Sequence, residues 1–283
     1  MTDAHASWVD GELVAPGVPA IPADDQGFLL GLAVFETLLQ EDGHRYFEAE
    51  HLARLQCGAG VLGIPWPPPH DPAGALEAYG ATLGDGAFAV RLSLSRGSPG
   101  GAPRMVIGSR RVDPSPAAGV AVAVARHAKP LDLALEGTKS SSRLRNVLAR
   151  EEAQAEGAWD ALIRTSDGDF AEGTVSNLFV VLQGTVVTPP LERGALAGIV
   201  RAELIAGLRE EGIPVLERRV TPGDLEACDE LFLTNSLVRV VPVHAVRGVR
   251  DDLPGAGGPV TIRAREAIAR RERDEARRAD RMA

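Results

Sequence analysis

Lysine is almost missing from this 283-residue chain: of its 30 basic side chains, only Lys129 and Lys139 are lysines, and the rest are arginines. Aromatic residues are also scarce, at 4%, and the two tyrosines, Tyr46 and Tyr79, leave few site roles open to a phenol. Two cysteines, Cys57 and Cys228, are too few for a disulfide framework and lack metal-ligand spacing, so no metal site is expected and a reducing cytoplasm is the expected compartment. The longest apolar stretch, Gly27–Phe35, is far too short to span a bilayer and runs into Glu36. Met1–Asp10 shows no basic n-region and no apolar h-region, so no secretory signal is expected there. A net charge of −9 argues against a broad nucleic-acid surface, because a phosphate backbone needs a basic face. No glycine-rich dinucleotide fingerprint opens a helix and no GxxxxGK[ST] exists, which weakens nicotinamide and P-loop readings.

What is present mixes strands and helices in both halves. SWVDGELV (Ser7–Val14) reads as a hairpin turning at Asp10-Gly11, and GLAVFETLLQ (Gly31–Gln40) as a strand leading to a second turn at Asp42-Gly43. Arg45–Phe47 resumes a strand. Leu52, Leu55, Ala59 and Leu62 recur at helical spacing over Glu50–Leu62, and Ala73–Leu83 is a second, weaker helix. Ala87–Ser95 and Arg104–Val112 are strands, and DPSPAA (Asp113–Ala118) is the clearest linker. Beyond it come a strand at Gly119–Arg126, a helix over Ser142–Glu156, strands either side of Asp167-Gly168, a hairpin of Asn177–Leu182 with Thr185–Thr188, a helix over Gly198–Glu211, and short strands at Leu231–Thr234 and Val238–Val243. The expected organisation is α+β, with segments 1–113, 119–262 and an arginine-rich tail, 263–283, read as a solvated helix.

Several positions can carry chemistry. Lys139, in GTKSSSRLRNVLAR, sits just before a helix; an amine can lose its proton and form a Schiff base, which a guanidinium cannot. Lys129, ahead of Pro130, reads as an ordinary surface lysine. Glu172 closes a strand, where a carboxylate can pair with a pyridinium nitrogen or simply face solvent. Gly198 opens a helix whose Ile199 and Val200 N–H groups are suited to a phosphate, and Thr234-Asn235-Ser236 is a second candidate anion nest. Arg54, in EHLARL, can supply a counter-charge.

Taken in order, DDQGFLLGLAVFETL, EHLARL, TKSSSRLRNVLA, DGDFAEGTVSNLF, LAGIVRAEL and ERRVTPGDLEACDELFLTNSLVRVVPV resemble the class IV aminotransferases, pyridoxal-phosphate enzymes of fold type IV, over nearly the whole chain. The resemblance implies two α/β domains with pyridoxal 5'-phosphate in the cleft between them, and a homodimer. It implies that Lys139 holds the cofactor, that Glu172 pairs with the pyridine nitrogen, and that Arg54, Ile199, Val200, Asn235 and Ser236 surround the phosphate. Leu144 stands where the family's aminotransferases carry a tyrosine, SRGSPGGAPRM lacks the Arg-x-His carboxylate trap of the D-amino-acid transaminases, and Asn235-Ser236 replaces the Gly-Thr pair of the branched-chain enzymes. Arg143-Leu144 and Asn235–Leu237 look instead like the 4-amino-4-deoxychorismate lyases, which make 4-aminobenzoate and pyruvate in folate synthesis. That branch implies Thr37 as proton donor to the departing group. The substrate's carboxylates would then meet Arg91, Arg143, Arg104 or the backbone at Leu237. The alternative is an aminotransferase for a small amino acid or amine. A non-catalytic cofactor-binding protein and a nucleic-acid binder using the tail are the remaining classes.

Overall fold

The computed structural model describes residues 6–131 and 133–282; the ends of the outer segments, residues 1–5 and Ala283, lie outside it. The chain divides into two units, the first running to Asp113 and including Thr138–Ser142, the second made of Pro114–Gly137 and the chain from Arg143 onward.

The first unit runs β1 (Ser7–Val9), β2 (Glu12–Val14), α1 (Gln26–Leu30), β3 (Ala33–Glu41), β4 (His44–Arg45), α2 (Glu48–Val61), α3 (Pro72–Gly80), β5 (Ala87–Ser95) and β6 (Arg104–Arg111). Its strands form one antiparallel sheet in the order β2-β1-β6-β5-β3-β4. The period-two alternation of β3 and β5 sends Val34, Leu38, Val90 and Leu92 into a core with Leu55 and Ala59 of α2 and Leu76 and Tyr79 of α3. The opposite face of the same strands carries Phe35, Thr37, Arg91 and Ser93. Asp10-Gly11 and Asp42-Gly43 turn with positive φ at both residues, the geometry that matches the twist of a two-residue hairpin. The strand expected over Arg45–Phe47 is only two residues long, because Phe47 has a φ of 57° and starts α2. The short helix α1, capped by the Asp25 side chain, had no periodic signal.

The second unit contains β7 (Val120–Val124), α4 (Leu133–Glu136), α5 (Leu144–Ala155), β8 (Asp160–Arg164), β9 (Phe170–Gly173), β10 (Asn177–Leu182), β11 (Thr185–Thr188), α6 (Ile199–Glu210), β12 (Val215–Glu217), α7 (Pro222–Ala227), β13 (Glu230–Asn235), β14 (Arg239–Val246) and α8 (Pro259–Met282). Its eight strands form a mixed sheet, β12-β11-β10-β13-β14-β7-β8-β9. The near-continuous apolar run of β10 reflects burial on both faces. Phe179 and Val181 pack under α6 and α8, while Leu178 and Val180 join Leu225 and Cys228 on the other side. Burial pushes the Cys228 thiol up to about 11. The mixed α+β architecture is the one the sequence implied. One expectation is corrected: the arginine-rich segment is no solvated tail, because α8 begins at Pro259 and buries Ala264, Ala267 and Ile268 against α6 while its arginines pair with Glu203, Glu210 and Glu211.

Candidate functional site

Lys139 lies in Thr138–Ser142, the five residues beyond Asp113 that belong to the first unit. Those residues extend the sheet at the edge of β3 that short β4 leaves uncovered. The Phe35 N–H donates to the Lys139 carbonyl at 2.9 Å, the Ser141 N–H donates to the Ala33 carbonyl at 2.8 Å, and Ser140 pairs with Val34. Directly paired residues share a face, so Lys139 points the same way as Phe35. Its Nζ stands 4.7 Å from the centroid of the Phe35 ring. The Arg91 guanidinium lies on the same ring at 3.5 Å, and Arg91 is directly opposite Thr37 in the β3–β5 register. One open sheet face therefore gathers an amine, a hydroxyl and a guanidinium around an aromatic ring.

The other face of β3 holds Glu36, whose side chain is fully buried. Arg54 of α2 grips it bidentately, Nε to Oε1 at 2.8 Å and Nη2 to Oε2 at 2.6 Å, and His51 Nδ1 reaches Oε2 at 2.7 Å. Burial alone would raise the Glu36 pKa, but the hydrogen bonds from Arg54 and His51 outweigh it and hold Glu36 at about 2. Burial pushes His51 below its ordinary value, so its imidazole serves Glu36 as a neutral donor near pH 7. Arg54 is thus tied to a carboxylate rather than solvated; the sequence reading had not identified Glu36 or His51 as its partners.

In the second unit Glu172, on β9, is buried, not exposed at a strand end. Its Oε2 accepts the Leu196 N–H at 2.8 Å and its Oε1 accepts from Lys129 Nζ at 2.9 Å. This corrects the surface reading of Lys129, which is 2% exposed. Its ammonium also donates to the Gly194 carbonyl and lies 3.3 Å from Glu136 Oε2, so all three of its protons face acceptors. A lysine committed in that way is a poor nucleophile, so its role is in holding these partners.

Gly198 caps α6 without a side chain, so the first-turn N–H groups of Ile199 and Val200 have no carbonyl ahead of them. A Cβ on Gly198 would stand 1.9 Å from Asn177 Oδ1, so only glycine allows this approach. Asn177 is paired across the sheet with Thr234, whose buried hydroxyl has no partner among the described residues. An unsatisfied hydroxyl beside an uncapped helix start fits a bound phosphate, and the residues present therefore fit pyridoxal phosphate.

The remaining candidates divide. Asn235 Oδ1 accepts the N–H groups of Leu237 and Val238 at 2.9 and 3.0 Å. The Leu237 N–H is therefore spent within its own turn, which removes it as a carboxylate donor and makes Asn235 the residue that shapes the turn around Ser236. Arg143 Nη2 donates to the Thr174 carbonyl at 2.8 Å. Arg104 pairs with Asp10 at 2.8 Å, beside the first hairpin, and is a structural residue. Tyr79 is buried and bonded to the Ala6 carbonyl and Ser109.

A family model described as amino-transferase class IV matches residues 33–246. The chain is 30% identical over 253 residues to a putative branched-chain-amino-acid aminotransferase of Methanocaldococcus jannaschii, an alignment covering 85% of this chain and 88% of the relative. It is 28% identical over 271 residues to a bifunctional aminodeoxychorismate lyase / D-amino acid transaminase of Mycobacterium tuberculosis, covering 86% of this chain and 91% of that protein. Among solved structures, a 4-amino-4-deoxychorismate lyase from Pseudomonas aeruginosa superposes with a TM-score of 0.80 at 32% identity, covering 93% of this chain and 97% of that one. The buried carboxylate, the uncapped helix start and these likenesses agree: the chain belongs to the class IV aminotransferase family, pyridoxal-phosphate enzymes of fold type IV.

Proposed function

We propose that this enzyme is a 4-amino-4-deoxychorismate lyase, releasing 4-aminobenzoate and pyruvate in folate synthesis. The observation that carries the reading is the open sheet face where Thr37 and Arg91 stand directly opposite one another beside the ring under Lys139 Nζ. A lyase needs, beyond an amine, a proton donor for the departing enolpyruvyl group and a cation for the substrate's carboxylates. Thr37 supplies the first and Arg91 the second.

Bound pyridoxal phosphate supplies the electron sink that makes a carbanion at the nitrogen-bearing carbon accessible. Lys139 Nζ would hold the cofactor covalently and, as a free amine, would take the proton from the nitrogen-bearing carbon of the substrate. Glu172 accepts the hydrogen bond of the ring nitrogen. Arg54, the Ile199 and Val200 N–H groups and Ser236, in the turn shaped by Asn235, hold the phosphate. Arg143 is a second cation for the substrate, set next to the Lys139 segment in sequence. A homodimer is supported by Phe28, Leu29 and Leu30, exposed together on α1, and by Leu144, Val147 and Leu148, which make one exposed stripe on α5 at helical spacing. Cytoplasmic residence is supported by Cys57 and Cys228 being free thiols. Among the described residues no helix is long and apolar enough to cross a membrane.

The second reading, an aminotransferase on a small amino acid or amine, is favoured by the aminotransferase names among the relatives. For that reaction Lys139 would serve as the proton carrier throughout, and Thr37 would have no departing group to protonate. Purified enzyme given aminodeoxychorismate is expected to form 4-aminobenzoate and pyruvate in equal amounts. Keto-acid formation from amino acids with 2-oxoglutarate or pyruvate, without any 4-aminobenzoate, would establish the second reading. Thr37→Val is expected to slow 4-aminobenzoate release by roughly a hundredfold, the lower part of the range for a positioned acid, with cofactor affinity unchanged.

A further inference from the structure

We infer that Lys129 is a positioning residue for the cofactor: it clamps Glu172 from behind, so that the carboxylate meets the pyridine nitrogen in one fixed orientation. The inference rests on the reading of Glu172 as the partner of that nitrogen. Both Glu172 oxygens are engaged from the protein side, Oε1 by Lys129 Nζ at 2.9 Å and Oε2 by the Leu196 N–H at 2.8 Å, which fixes the carboxylate plane while leaving each oxygen a further lone pair. The clamp is itself anchored. Lys129 reaches across to the Gly194 carbonyl and to Glu136, and Glu136 is held by Arg145 at 3.1 Å. Gly194 and Leu196 lie in the loop behind Arg193, whose guanidinium is bound to Asp169 and Asp167 on the β8–β9 hairpin that carries Glu172. Against the cost of burial, hydrogen bonds from Arg193, Thr165 and Arg219 hold Asp169 well below the usual carboxylate range, so that brace stays charged.

The geometry also accounts for a lysine in a chain that otherwise uses arginine. The three acceptors around Nζ, the Glu172 and Glu136 carboxylates and the Gly194 carbonyl, come from three separate segments of the chain. A tetrahedral ammonium can serve three separated partners, whereas a planar guanidinium is made for two parallel ones. The packing is close as well: a Cβ on Gly194 would stand 3.3 Å from Lys129 Cε and 3.4 Å from Glu136 Cβ, so the loop that offers the Gly194 carbonyl lies directly against the lysine stem.

The test is a double-mutant cycle on the full chain, reading the dissociation constant for pyridoxal phosphate and the position of the visible absorption band of the loaded protein, with urea unfolding of the apoprotein alongside. Lys129→Met is expected to weaken cofactor binding roughly tenfold, within the range by which residues in one contact network couple, and to move the band. Glu172→Gln is expected to do the same or more. In the Glu172→Gln background the Lys129 substitution should change affinity by less than twofold and leave the band where Glu172→Gln put it. An equal loss from Lys129→Met in both backgrounds would overturn the inference, as would an unmoved band. Should Glu172→Gln by itself leave affinity and band unchanged, it is the reading of Glu172 that fails. If Lys129→Met alone does not fold, Lys129→Arg serves in its place. A change in the unaltered chain that vanishes beside Glu172→Gln supports the clamp, and the same change in both overturns it.

Discussion

Replacing Arg54 by methionine should destabilise the protein in a way whose pH dependence identifies the cause. Glu36 is fully buried and held at about 2, against an ordinary value of 4.5. Each tenfold change in proton affinity is worth ~1.36 kcal/mol, so ionised Glu36 contributes about 3 kcal/mol near neutral pH. The sign follows from the lowered value: the contribution is complete above 4.5 and is lost as pH falls toward 2. Without Arg54 the largest contribution opposing burial is gone, so Glu36 moves up from about 2 toward its ordinary value, and the stabilisation that ionised Glu36 gives at neutral pH, with its loss in acid, is removed with the arginine. Breaking a buried pair from one side costs about 3–5 kcal/mol at pH 7. That difference between Arg54→Met and the unaltered protein should shrink by about 2 kcal/mol between pH 7 and pH 3, as the unaltered protein loses the contribution of ionised Glu36. Urea unfolding of both apoproteins, followed by circular dichroism at pH 7, 5 and 3, measures it, with His51 present in both. A difference that is the same at all three pH values would refute the account, because it would place the loss in packing rather than in the charge of Glu36.

Other outcomes follow from the same structure. Lys139→Arg should abolish the bond that borohydride fixes between protein and pyridoxal phosphate; a reducible adduct in that variant would remove Lys139 from its role. Gly198→Ala drives a Cβ against Asn177 at the start of α6 and should weaken cofactor binding about tenfold or more, read by equilibrium titration, with the fold retained by circular dichroism. Ile268→Ala should cost about 2–4 kcal/mol in urea unfolding, since Ile268 is buried between α8 and the sheet; a neutral result would restore the solvated-tail view.

Much of the architecture was legible because it rests on local rules. The two Asp-Gly turns, the alternation of Ala87–Ser95 and the glycine-opened helix after Leu196 each depend on neighbours in sequence, and each formed where those neighbours dictate. What escaped depends on partners far along the chain. Glu36 and Lys129 look like surface charges in isolation, and nothing near them in sequence announces the arginine of the next helix or the carboxylate 43 residues away. The α8 segment misled for a related reason: its many arginines mask a narrow apolar stripe at Ala264, Ala267 and Ile268, whose value appears only once α6 supplies a surface for it. The Leu237 donor was misjudged because a side chain two residues earlier, Asn235, takes the proton first.

The five-residue strip Thr138–Ser142 has a consequence for how the protein is made. The main segment of the first unit ends at Asp113, yet the edge of β3 stays unpaired until Ser140 and Ser141 have left the ribosome, by which time the first strand of the second unit has already emerged. Vectorial synthesis therefore exposes an apolar β edge during the interval in which residues 114–137 are translated. The same strip sets the direction of the Lys139 side chain: pairing one residue out of register would turn the amine toward α2, away from Phe35 and Arg91. Completion of the nascent sheet and correct placement of the amine are thus one event, and a chain that misses it carries both an open edge and a lysine on the wrong face.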